Sequence, residues 1–195
     1  MRAMAWLAFA LYAFNSALLV WLHVRVPGVH PVRDAVSDYG ADKARALFRL
    51  HGIAGSAAAL ALSYIVATAT NPVFPARIVG YLLAMAIARL AVGFFPTDGT
   101  DGPSTNTGRV HTIAATVVFV AAVLVAVDGT RPLTAAFPDY AQAWAALKWS
   151  VVVAMAGMVA TRIERWRRAF GLFERAFIVA STVWFMALAL SLAVA

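Results

Sequence analysis

The chain has 195 residues, of which 63% are hydrophobic and 13% charged, with a formal net charge of +7 and no cysteine. Soluble domains carry roughly 25% charged residues, so this composition excludes an ordinary soluble protein and indicates one built for a membrane. The missing thiols exclude disulfides, iron–sulfur clusters, thiolate-bound metal and a cysteine nucleophile; the basic excess suits loops beside anionic lipid, and no basic stripe interleaved with aromatics fits nucleic acid.

A helix needs about 20 apolar residues to cross a hydrocarbon core of about 30 Å. Six stretches meet this, at roughly 4–24, 47–69, 77–96, 110–128, 141–161 and 176–195. All are predicted helices, because backbone facing lipid must satisfy its own hydrogen bonds. The expectation is an all-α polytopic membrane protein, one domain over 1–195, folded as a compact bundle of six transmembrane helices. The first stretch, MRAMAWLAFALYAF onward, resembles a signal peptide. Its apolar run is longer than the usual core of roughly 7–15 residues and ends without a small-x-small cleavage pattern, so it reads as a retained span.

The first loop, 25–46, contains HPVRDAVSDYGADK. Ser37, Asp38 and Asp42 are good helix-capping residues there, and Ser37 and Asp38 are also candidate site residues. His51 lies about one turn into the second span. Arg89 lies seven positions before Pro96 inside the third, where a guanidinium costs about 3 kcal/mol or more unless paired or hydrated. An aspartate or an anionic headgroup is its expected partner. The second loop, within FFPTDGTDGPSTNTGRVH, gathers Asp98 and Asp101 beside turn glycines and leads to His111. Asn106 or Thr107 is the expected cap of the fourth helix. Neutral imidazole is the form that accepts a proton or ligates metal, which makes His111 a candidate base. The third loop, 162–175, is rich in arginine, and Trp166, Phe170, Phe173 and Phe177 fall on one helical face, predicting a short amphipathic helix at the interface.

Six spans place both termini on one side and loops 25–46, 97–109 and 162–175 on the other. Eleven of the sixteen Lys and Arg lie on or beside those three loops, against Arg2, Arg77 and Arg131 on the opposite face. The positive-inside rule therefore predicts cytoplasmic loops and external termini in a bacterial inner membrane. Seven of the nine acids and all four histidines share the loop face.

VSDYG in the first loop, FFPTD ending the third span, GRVH opening the fourth and GLFER before the sixth resemble a prokaryotic membrane family catalogued as a domain of unknown function, the nine-nine-eight family. The resemblance spans nearly the whole chain and implies six membrane helices, with no activity attached. A fainter likeness, carried by the Ser-Asp pair after the first span, is to the DRAM/Frag/Sfk family. It implies a role in lipid and membrane homeostasis, and cytosolic termini, opposite to the charge count.

The leading expectation is a module that binds or moves a lipid or other amphiphile at a polar pocket on the loop face. Asp38, Asp98 and His111 are its candidate catalytic residues, and Ser37, His51, Arg89 and Asp101 its candidate ligand contacts. Membrane lipids are the expected partners. An intramembrane lipid hydrolase or transferase is the alternative, with His111 as base or joined by Asp38 and Asp98 on a metal. A structural or regulatory membrane protein without a small-molecule site is the third. Histidine spacing is poor for a metal, and no haem is expected between His51 and His111.

Overall fold

Apolar composition and length make each span a helix, and the computed structural model contains six. It describes residues 1–40, 44–98 and 104–194, the Glu164 side chain aside. The helices are α1 (Arg2–Arg25), α2 (Arg45–Thr68), α3 (Ala76–Phe94), α4 (Asn106–Ala136), α5 (Ala141–Ala160) and α6 (Phe170–Val194). Each is long and apolar enough to cross a membrane. Short 3-10 turns at Val36–Gly40, Pro138–Tyr140 and Glu164–Ala169 join them.

Four of the predicted spans match to within two or three residues; α4 and α6 do not. α4 runs eight residues past the predicted end, and its 31 residues span about 46 Å, more than the hydrocarbon core requires. Its last turns hold Pro132, which has no N–H to donate to the Asp128 carbonyl, and the Asp128 side chain forms a salt bridge with Arg77 of α3. α6 begins six residues early. The predicted amphipathic helix over the third loop is therefore split. Arg165, Arg167 and Arg168 lie on the exposed 3-10 turn, whereas Phe173 and Phe177 belong to α6 and pack inward.

Each helix packs on its sequence neighbours, and α6 closes the circle against α1. The result is a ring in which α2 is the most buried member. Away from the loop face the middle is filled by aromatics. Tyr12 stacks on Phe185 at 5.2 Å, and Trp184 meets Phe185 and Trp144 edge-on. A smaller cluster of Leu22, Val36, Tyr39 and Phe48 anchors the first loop at the other end.

That loop is roped to α6. Arg175 donates to the carbonyls of Pro31 and Asp34 and to the Tyr39 hydroxyl. The Leu172 N–H donates to Val32 O, and the Val36 N–H donates to the Glu174 carboxylate at 2.7 Å. Residues 35–37 are thereby held as a roof over the loop end of the ring.

Candidate functional site

Beneath that roof lies a cavity of about 430 Å³, within the range of small-molecule sites. Walls come from α2, α3, α4, α5 and α6. Its deep part is apolar, lined by Met85, Val118, Phe119, Ala122, Met155 and Phe185. The part nearer the loop face carries Ser37, His51, Arg89, His111, Arg162 and Glu174. The lining residues Thr112 and Thr116 of α4 and Val159 of α5 are themselves exposed, so the cavity also opens sideways between those two helices. The α5–α6 wall is closed by contrast: Gly157 has no room for a Cβ because the Phe173 ring occupies that space.

Arg89 is half-buried on α3 and lines the cavity. Its guanidinium lies directly on Gly55 of α2, where any Cβ would collide with it. Nη2 donates to Asn15 Oδ1 of α1 at 3.1 Å, and Nε is buried with no hydrogen-bond partner. No described aspartate pairs with it: among the described residues the one salt bridge is Arg77–Asp128. Both aspartates are engaged locally instead. Asp38 accepts the Ala35 N–H at 3.0 Å, closing the 3-10 turn. Asp98 accepts from the Thr105 N–H and hydroxyl at the surface. Burial pushes the Asp38 carboxyl above its ordinary range, against the Ala35 hydrogen bond. The Thr105 hydrogen bonds hold that of Asp98 below it.

Asn15, buried on α1, proves to be a hub. Besides accepting from Arg89 through Oδ1, it donates from Nδ2 to the His51 carbonyl at 2.6 Å. Its side-chain amide and its own carbonyl both flank His51 Nδ1, at 2.9 and 3.1 Å. α1, α2 and α3 are joined at this point.

His111 is 5% exposed and lines the cavity. Its Nδ1 lies 2.7 Å from the Phe95 carbonyl. A carbonyl only accepts, so Nδ1 carries a proton. In the neutral ring Nε2 is then the acceptor, and it has no hydrogen-bond partner among the described residues. Thr105, not Asn106 or Thr107, caps α4, accepting the Gly108 N–H at 3.1 Å.

Of the candidates, Ser37, His51, Arg89 and His111 meet at the cavity, while Asp38 and Asp98 serve the turns around it. Asp101 and Asp42 fall outside the described residues. Glu174, assigned by sequence to a loop, is a cavity residue on α6; its partner Val36 is 138 positions away, and no local pattern signals the contact. Among the described residues no three His, Asp or Glu side chains are grouped as a metal site requires.

Nothing among curated proteins or solved structures matches the chain. A family model described as "Protein of unknown function (DUF998)" matches residues 3–191. With six helices fit to span a bilayer and that match over almost its full length, the chain is a membrane protein of the DUF998 family.

Proposed function

We propose that this protein binds an amphiphilic membrane lipid, with an anionic part of the headgroup at Arg89 and an acyl segment in the apolar depth of the cavity. One observation carries the reading. A cation with no carboxylate partner among the described residues stands where a membrane-embedded cavity turns from apolar to polar. A buried charge in that position is strongly favoured by a counter-charge, and a bound anion supplies one. The opening between α4 and α5 supports entry from the bilayer rather than from water. The charge bias of the loops supports an inner-membrane location with the cavity's polar end at the cytoplasmic side and both termini outside.

Native mass spectrometry of the purified chain tests this. The wild type should retain lipid, and Ala122→Trp, which fills the deep part, should release it with the fold intact. Equal lipid retention by both would overturn the reading.

A second reading, acyl or phosphoryl transfer, is favoured by one feature: the Phe95 carbonyl fixes His111 so that Nε2 serves as a proton acceptor in a cavity that Ser37 also lines. Lipid turnover by the wild type that disappears in His111→Ala, with binding preserved, would establish it.

A further inference from the structure

The cavity carries a second ionisable group, on the wall facing Arg89. In a closed ring of six, α3 and α6 stand opposite each other. Arg89 lines the cavity from α3 and Glu174 from α6. Glu174 is 6% exposed. Its Oε2 accepts the Val36 N–H, while Oε1 accepts no hydrogen bond among the described residues. Neighbouring Arg175 is turned away, its guanidinium spent on the carbonyls of Pro31, Asp34 and Gly171 and on the Tyr39 hydroxyl. The polar end of the cavity thus presents two cations, Arg89 and the exposed Arg162, and one carboxyl, Glu174, and no salt bridge joins them among the described residues.

We propose that the headgroup bound here is zwitterionic, with its phosphate at Arg89 and its ammonium at Glu174, as in a phosphoethanolamine-headed lipid. The inference rests on the lipid-binding reading and adds the headgroup class. A purely anionic headgroup satisfies Arg89 and sets negative charge towards Glu174. A purely cationic amphiphile does the reverse. A ligand bearing both signs answers Arg89 and Glu174 together, which favours it over headgroups of a single sign. His111 Nε2, an acceptor on the same surface, adds a second place for an ammonium hydrogen.

The test uses the full chain in detergent, titrated with phosphatidylethanolamine, phosphatidylglycerol and phosphatidic acid of matched acyl length and followed by native mass spectrometry. The wild type should prefer phosphatidylethanolamine by about tenfold, the order expected when a wrong headgroup leaves one buried charge unmatched. Glu174→Gln still offers an oxygen to the Val36 N–H, so the roof is retained. It should abolish the preference by weakening phosphatidylethanolamine binding, and Glu174→Asp should restore it in part. A melting midpoint unchanged without lipid separates this from a structural effect. A wild-type preference for phosphatidylglycerol or phosphatidic acid overturns the proposal without any variant, as does an unaltered ratio in Glu174→Gln; both leave lipid binding standing. Binding of none of the three overturns that reading as well. Soluble phosphoethanolamine should compete poorly; competition as strong as the lipid's would place the ligand in water and contradict a lipid source.

Discussion

Asn15 ties three helices together through one side chain. Replacing it with Leu leaves Arg89 Nη2 and the His51 carbonyl without their partner, which should cost about 1–3 kcal/mol, read as a lower melting midpoint in detergent. An unchanged midpoint would show that the hub is energetically idle. Asp98 makes the opposite case, a catalytic candidate whose carboxylate is bonded to Thr105, the cap of α4. Thr105→Ala should cost about 1 kcal/mol of stability and leave ligand binding intact. The pH dependence follows the same logic. A carboxyl held below its ordinary value in the fold stabilises above its unfolded pKa, and that contribution is lost as pH falls through the folded one. Acid should therefore weaken the start of α4, and Asp98→Asn should remove that part of the profile; a profile identical to the wild type's would show that the cap does not titrate.

Among the helices, α4 and α5 decide how the cavity is reached. Glycines close neighbouring walls, Gly55 beneath Arg89 and Gly157 beneath Phe173, whereas Thr112, Thr116 and Val159 leave this one open. The chain lacks cysteine, so single thiols can be placed cleanly. A bulky maleimide on Thr116→Cys should block lipid exchange, while the same label on Val179→Cys, on the outer side of α6, should not. Equal exchange in both would mean that the route lies elsewhere. Helix existence was legible in the sequence because a run of about 20 apolar residues has few alternatives. Helix ends were less so. α6 continues through Glu174 and Arg175, whose charges suggest a loop until their partners on the first loop are known.

For the molecule as a whole, the sequence marked the loop face as the chemical end of the bundle, and four of its seven candidates do line one cavity there. What it could not supply was pairing. Arg89 was recognisable as costly in hydrocarbon, but whether an aspartate, an asparagine or a ligand answers it depends on how α1 and α3 meet over α2, which has no signature in spacing. Orientation is open to direct test. Ser104→Cys on the loop face and Val73→Cys between α2 and α3 should label oppositely with an impermeant thiol reagent, Val73 from outside the cell; labelling of Ser104 in intact cells would invert the topology. The central claim is met most directly by an experimental density map of the protein in a native-lipid nanodisc. Density is expected in the cavity, with a phosphate within hydrogen-bonding distance of Arg89 and acyl density reaching Phe185. A water-filled or collapsed cavity, with Arg89 paired only to protein, would contradict it.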